Sequence, residues 1–417
     1  MQDLLKSHAR QIYEHAIAEN MPNSSVEKAL QNAKLGKKTV LVSIGKAGWE
    51  MAKTAYEILG DKIDSGIVIT KYNHSKGSIG KLEICEAGHP VVDFNGISAT
   101  KRAIELTSGL IEDDTVLFLV SGGGSALFES VSCPLEKMQE LTKSLLHSGA
   151  TINEMNAIRK HVSNVKGGKF ARLVYPASVY AIVLSDVVGD DLSTIASGPA
   201  TADNTTVEEC LEILKKYNVS IDEEMHEIIK NETPKEVKNA THLISGSVSQ
   251  LVKSGVEKAR ELGYHTTIIN DSVVCDAGEI AEQIGKLAYE NRETRIPLAI
   301  FFGGEVTIKV KGNGKGGRNQ ELALMCAEKI KEYDNMAVFC VGSDGTDGPT
   351  DAAGGYVDGN TYGKIAKSGK TSQEYLKNND SYNALSHSHG LIFTGATGTN
   401  VNDIYALIIL PKEKESL

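Results

Sequence analysis

Short unbroken apolar runs, each passing into a glycine-bearing turn and then a helical pattern, constrain this chain more tightly than any other feature. TVLVSI (39–44), GIVIT (66–70), TVLFLV (115–120) and YAIVLS (180–185) lack the polar–apolar alternation of a half-exposed strand. A strand that is apolar on both faces needs covering on both, as in a parallel sheet wrapped by helices. The first part of the chain is therefore expected to form a doubly wound, mostly parallel α/β domain.

Strand signals vanish between about Thr206 and Lys238, where charged helical sequence takes over. That shift places a boundary near residue 235, between an N-terminal Rossmann-like domain (1–235) and a second, smaller α/β domain (236–417). The second would begin with HLISGS (242–247), continue through a helix into YHTTIIN (264–270), and include LAIFFGGEVTIKVK (298–311), AVFCVGSDGTDG (337–348) and the stretch 391–410. Alternation in VTIKVK points to a half-exposed strand and so to a mixed sheet. A length of 417 residues accommodates two or three domains with cores of their own.

Charge excludes some partners. Lys and Arg number 44 against 54 Asp and Glu, a net charge of −10, and no segment concentrates cations as a nucleic-acid footprint would. The apolar runs fall far short of the roughly 20 residues of a membrane span. The N-terminal stretch reads as a charged amphipathic helix without a signal-peptide core. A cytoplasmic protein acting on small molecules is expected, with self-association into a homo-oligomer left open. The six cysteines show no C-x-x-C or zinc-finger spacing, and His387 and His389 lack a neighbouring acid or thiol, so no metal chemistry is assigned to them.

Forty glycines against nine prolines favour loops that wrap anions. Open α/β sheets bind ligands beyond the carboxyl ends of their strands, and several strands here run straight into such loops. Gly45-Lys46-Ala47-Gly48 places Lys46 among the amides of a helix start, where it either meets an anion or is a solvated lysine on a tight turn. Ser121-Gly122-Gly123-Gly124-Ser125 has the donors of a phosphate or carboxylate cradle, with close helix packing as the structural alternative. Leu127 stands where a serine-nucleophile elbow needs glycine, which argues against a hydrolase. In Arg159–Lys169, the residues Asn164, Lys166 and Lys169 suit an acidic substrate, although a solvated helix face accounts for at least half of the cations. Asp186, Asp190 and Asp191 crowd the next strand end, where carboxylates hold Mg²⁺ through water or accept a hydroxyl proton, and one of the three is expected to cap a helix.

In the second half, Glu305 follows a strand, and Gly312, Gly314 and Gly317 match G-x-G-x-x-G. That spacing alone would indicate a dinucleotide oxidoreductase, but the alternating strand before it weakens the reading. The same loop carries Arg318 and Asn319, and the Arg318 fork suits phosphate oxygens, with an exposed turn as the alternative. Asp344, Asp347 and Asp351 lie among glycines without the closing Glu of an EF-hand. They suit a magnesium nucleotide or a hydroxylated substrate, and equally ordinary Asp-Gly turns.

Taken together, SGGGSAL, HVSNVKGGK, SDVVGDDLSTIASGP, GGEVTIKVKGNGKGGRNQELAL, GSDGTDGPTDAAGG and FTGATGTNVND resemble the class II glycerate kinases, whose C-terminal part is the MOFRL region. The motifs run from residue 45 to 403, nearly the whole chain. The resemblance implies a two-domain α/β enzyme that moves the γ-phosphate of ATP, with Mg²⁺, to the C2 hydroxyl of D-glycerate in a cleft between domains, giving 2-phosphoglycerate and ADP. By motif, Lys46 and Arg318 resemble the family's essential cations, and Asp186 and Asp190 lie in its SDVxGDD segment as candidate metal and proton contacts. Gly45, the turn Ser121–Ser125, Asn164, Lys166, Lys169, Glu305, Asn319, Asp344, Asp347 and Asp351 are the expected substrate and nucleotide contacts. Replacing Arg318 by Ala is expected to lower kcat sharply and leave folding intact. An NAD(P)H-dependent hydroxypyruvate reductase, a kinase of a related sugar acid and a non-catalytic sensor of the same ligands are the alternatives.

Overall fold

The computed structural model describes residues 1–412, which fold as two compact units. One is Pro22–Ser245; the other joins Met1–Met21 to the chain from Gly246 onward.

In the first unit the apolar runs become one six-stranded sheet: β1 (Thr39–Ile44), β2 (Ser65–Lys71), β3 (Glu83–Ala87), β4 (Thr115–Val120), β5 (Ser178–Leu184) and β6 (Ala240–Gly246). Their spatial order is β3-β2-β1-β4-β5-β6, and the neighbours from β3 through β5 run parallel. Every residue of β1 and β4 is buried, which explains why neither strand alternates. Phe118 on β4 packs against Phe128 and Phe170 with ring centroids 5.1–5.8 Å apart. Burying each such ring contributes about 1.5–3 kcal/mol.

Two expectations change here. β3 was not foreseen, because EICEA is an edge strand whose residues are mostly half-buried, so it carries no continuous apolar run. β6, which was expected to open the second domain, instead completes this sheet, so the division falls at Ser245 rather than near 235. The helix Gln2–Glu19 belongs to the other unit. It buries Leu5, Ala9, Ile12, Tyr13 and Ala16 along one stripe, with Tyr13 against Phe339.

The second unit holds β7 (His265–Val273), β8 (Leu298–Gly304), β9 (Met336–Gly342), β10 (Gly354–Asp358), β11 (Leu391–Ile392) and β12 (Asp403–Ile409), in the order β11-β10-β9-β12-β8-β7. Only the β7–β8 pair is parallel, so this sheet is mixed, as expected, but for a different reason. VTIKVK forms no strand beyond a single bridge from Thr307 to Asp276. The mixing comes from β12, which inserts between β8 and β9 antiparallel to both. Among the described residues no helix is long and apolar enough to cross a membrane.

Candidate functional site

The order of the parallel sheet reverses direction between β1 and β4, and ligands of open α/β sheets bind at such a switch point. The loops leaving these two strands are the ones that the glycines marked. Lys46 N–H donates to the Gly122 carbonyl at 2.9 Å, and Ser121 Oγ accepts from Ala47 N–H at 3.1 Å while donating to the Ile44 carbonyl at 3.2 Å. Gly45 has φ +110°, and a Cβ there would lie 2.2 Å from Ser121 Oγ, so only glycine fits. Ser121 is thus a stitch between two loops: its hydroxyl is buried and engaged on both sides, which corrects its expected place in the cradle.

Gly124 is buried against Ile44 and Ala196, and only Gly122, Gly123 and Ser125 of this turn are partly exposed. A Cβ on Gly122 would lie 2.2 Å from an Asp186 carboxylate oxygen, so the absence of a side chain admits Asp186 against the turn. Gly123, at φ +90°, lies beneath Lys46 and His89. Among the described residues no side chain hydrogen-bonds Lys46 Nζ, and the amides of Gly122 and Gly123 donate no hydrogen bond. Unengaged amides at a positive-φ turn beside a lysine form an anion-binding nest. Behind it, Ser125 Oγ meets Ser197 Oγ at 2.8 Å. Ala196, Ser197 and Gly198 all take left-handed φ values of +50° to +63°, a strained run of the kind that clusters at functional sites.

The SDVVGDD turn separates its three carboxylates by role. Asp191 closes a local turn instead of capping a helix, accepting from Ser193 N–H and from the hydroxyls of Ser193 and Thr194 at 2.9–3.0 Å. Asp190 has φ +55°, and its Oδ1 is buried with no hydrogen-bond partner among the described residues. A buried carboxylate oxygen without a donor calls for a proton or a cation.

The basic segment behaves otherwise than expected. Its cations turn inward instead of forming a solvated face. Lys160 pairs with Asp203 at 3.1 Å, and Lys166, fully buried, meets Glu129 at 3.0 Å and the Phe128 carbonyl at 2.8 Å. Lys169 donates to the carbonyls of His161 and Ser163, and Arg159 donates to the Ser125 carbonyl at 3.0 Å. Burial pushes both Lys166 and Lys169 down to about 8. Lys166 and Lys169 therefore brace the loops and do not present a charge to a ligand. Asn164, half-buried, is held through Ser130 and Ser132.

In the second unit Arg318 begins the helix Arg318–Lys329. Its Nε donates to Asp403 Oδ2 at 2.6 Å, its Nη2 to Asp403 Oδ1 at 3.2 Å, and its Nη1 to Glu305. The β8–β12 register brings these acids together, because Asp403 stands opposite Gly304, the neighbour of Glu305. Tyr405 Oη also donates to Asp403, at 3.2 Å. Burial pushes the Asp403 carboxyl up to about 6 against the pull of Arg318. Burial likewise opposes the Arg318 charge, but the bonds to Asp403 and the fields of both acids outweigh it and raise Arg318 above its ordinary value. Asp403 closes the last glycine-rich motif, and its signal is its place as the first residue of a strand.

The remaining acids do not gather. Asp347 is buried and accepts from Asn319 N–H at 3.1 Å and Gln320 N–H at 2.8 Å, capping the Arg318 helix from outside. Asn319 is buried in that cap, so neither residue is open to a ligand as expected. Asp344 makes a local turn with Thr346, and exposed Asp351 meets Tyr382 Oη at 2.8 Å. Among the described residues no three His, Cys, Asp or Glu side chains form a group that could hold a metal ion. The first part of the glycine loop, Lys311 to Lys315, has its amides taken up within the protein. The amides of Lys311 and Gly312 donate to Asn379 Oδ1, that of Asn313 to Asn378, and that of Lys315 to Asp380. Asn378-Asn379-Asp380, which carries no signal by itself, accepts the amides of the 311–315 segment that a bound pyrophosphate would otherwise use.

Comparison with known proteins bears on both units. Residues 8–230 match the family model described as a domain of unknown function, DUF4147, and residues 298–403 match the MOFRL family. A protein of Thermotoga maritima named D-glycerate 2-kinase is 48% identical over 97% of this chain and 99% of its own. A protein of Agrobacterium vitis named a putative hydroxypyruvate reductase is 36% identical over 96% of this chain and 93% of its own. A crystal structure of a glycerate kinase from Thermotoga maritima superposes with a TM-score of 0.94 at 47% identity, covering 98% of this chain and all of that one.

Proposed function

Since the chain belongs to the glycerate kinase family with a MOFRL region, we propose that it transfers the γ-phosphate of ATP to the C2 hydroxyl of D-glycerate, giving 2-phosphoglycerate and ADP. The observation that carries the reading is the β1/β4 turn, where half-buried Lys46, Gly122 and Gly123 have no hydrogen-bond partner for Nζ or for either amide among the described residues. Phosphoryl transfer asks a protein mainly for positioning and for charge around the moving group. Lys46 and the turn would receive an anionic group of the substrates. Asp190 would accept or orient the hydroxyl proton through its unpartnered Oδ1. Arg318, fixed in direction by Asp403 and Glu305, retains two of its five N–H donors for a ligand oxygen.

Asp186 and Asp190 fit a Mg²⁺ requirement: one carboxylate stands against the glycine turn and the other has a buried oxygen without a donor. A magnesium ion held by one or two carboxylates and substrate phosphates needs no cage of three protein acids. When bound, it supplies charge neutralisation for the phosphoryl oxygens.

The name of the Agrobacterium relative favours a second reading, an NAD(P)H-dependent reduction of hydroxypyruvate. The closed amides of the 311–315 loop weigh against it. Purified protein incubated with D-glycerate, ATP and Mg²⁺ should yield 2-phosphoglycerate by ³¹P NMR. Oxidation of NADH by hydroxypyruvate, with no ADP formed from glycerate and ATP, would replace the kinase reading.

A further inference from the structure

His89 enters neither the motifs nor the chemistry above, yet it stands over the turn at the β1/β4 switch point. A Cβ on Gly123 would lie 3.0 Å from its Cδ2, 3.2 Å from its Nε2 and 3.4 Å from Lys46 Cγ, so the imidazole and the lysine stem flank the same glycine. Among the described residues neither ring nitrogen of His89 has a hydrogen-bond partner. By contrast, nearby His74 is tied to the Lys46 carbonyl at 3.1 Å. A half-buried imidazole whose nitrogens are both unengaged, next to two unengaged amides and a lysine, is arranged for an incoming acceptor.

We propose that His89 contacts the substrates directly, donating a ring N–H to the anionic oxygen received by the Gly122–Gly123 turn. The inference rests on the kinase reading and adds to it a catalytic residue. The groups facing His89 are Lys46 after β1, and Lys71 and His74 around the end of β2, all cationic or neutral. Asp93, the nearby acid on the following segment, is engaged by Tyr72 Oη at 2.6 Å and by Gly96 N–H at 2.9 Å. Burial first, then the fields of Lys46, Lys71 and His74, hold the ring below the ordinary histidine pKa. His89 is therefore neutral near pH 7, and donates a hydrogen bond without adding a charge that would compete with Lys46.

The oxygen could belong to the glycerate carboxylate or to a phosphoryl group, and steady-state kinetics separate them. His89→Ala should lower kcat/KM for glycerate by about 10²-fold, the effect of removing one preorganised donor. His89→Gln, which keeps an N–H near the Nε2 position, should restore most of the loss, with Tm matching wild type in both variants. A loss carried by KM for glycerate assigns the carboxylate, and a loss in kcat assigns the transferring phosphoryl; either supports the contact. Unchanged kcat and KM values in His89→Ala overturn it, as does a loss that follows a lowered Tm and that Gln does not repair. A wild-type enzyme without kinase activity would instead refute the kinase reading, independently of His89.

Discussion

Lys46 and Arg318, the two cations that the motifs mark, have opposite surroundings. Lys46 is half-buried on a tight turn, and no side chain among the described residues hydrogen-bonds its Nζ. Arg318 gives three hydrogen bonds to two carboxylates, one of them buried. A lysine is a point charge on a flexible stem, whereas a guanidinium is a rigid fork that acts by direction. The molecule uses each accordingly: Lys46 keeps its charge available, while Arg318, outweighed by Glu305 and Asp403, offers oriented donors more than net field. Removing Lys46 should therefore touch chemistry alone, and removing Arg318 should touch chemistry and folding together.

The largest effect is expected for Arg318→Ala. Turnover should fall about 10³-fold, as for loss of a phosphoryl-stabilising arginine. The sequence-based expectation of intact folding changes with the structure, because the substitution strands Asp403 without its partner. Breaking a buried pair from one side costs about 3–5 kcal/mol, which urea unfolding would register. Wild-type stability in this variant would mean that Asp403 does not depend on Arg318, and the contrast with Lys46 would collapse.

Lys166 extends the comparison to a cation with no access to solvent. Lys166→Met leaves Glu129 unpaired and should lower stability by about 3–5 kcal/mol, whereas pairing it with Glu129→Gln should recover most of that loss. Activity of the double variant should stay near wild type, since neither group meets a ligand. A double variant that is stable yet inactive would return Lys166 to the site.

Lys46→Ala should lower kcat by about 10²-fold and leave unfolding free energy within about 0.5 kcal/mol of wild type. A stability loss as large as that of Arg318→Ala would show that Lys46 is engaged structurally, and the two cations would no longer differ in kind.

What the sequence disclosed follows the same division. β1 and β4 were legible because full burial on both faces leaves an apolar run, and the turns after them because a positive φ demands glycine. β3 was not, since a sheet edge buries too little to pattern its residues; β6 was legible as a strand, but nothing in its own residues says which sheet it joins. In the site, Lys46 was readable from its turn and Arg318 from its motif. Misreadings arose where a polar residue serves the fold. Ser121, Lys166, Asn319 and Asp347 have the chemistry of ligand contacts, but each is satisfied by a partner distant in sequence, and Lys169 is satisfied by carbonyls of the loop just before it. His89 and Asp403 were passed over for the converse reason, because only the juxtaposition of strand ends brings them to the turns.

The smallest effect tests whether Arg318 or burial governs Asp403. With the folded carboxyl near 6 and its ordinary value 3.8, the folded state holds a proton through this window that the unfolded chain has already released. Unfolding then releases a proton, so this group's contribution to stability falls as pH rises from about 4 through the folded pKa and levels off about one unit above it. Asp403→Asn removes the titration while keeping one acceptor for Arg318. The difference in stability between wild type and variant should accordingly decline from pH 4 through 6 and flatten about one unit above the folded pKa, by chemical unfolding at each pH. Turnover of the variant should drop by no more than about tenfold, the loss of one charge-assisted bond of roughly 1.4 kcal/mol. A difference that instead grows with pH would mean that the guanidinium overcomes burial and keeps Asp403 ionised throughout. The pair would then be ionic across the whole range, and Arg318 would be outweighed by its acids below pH 6 as well as above it.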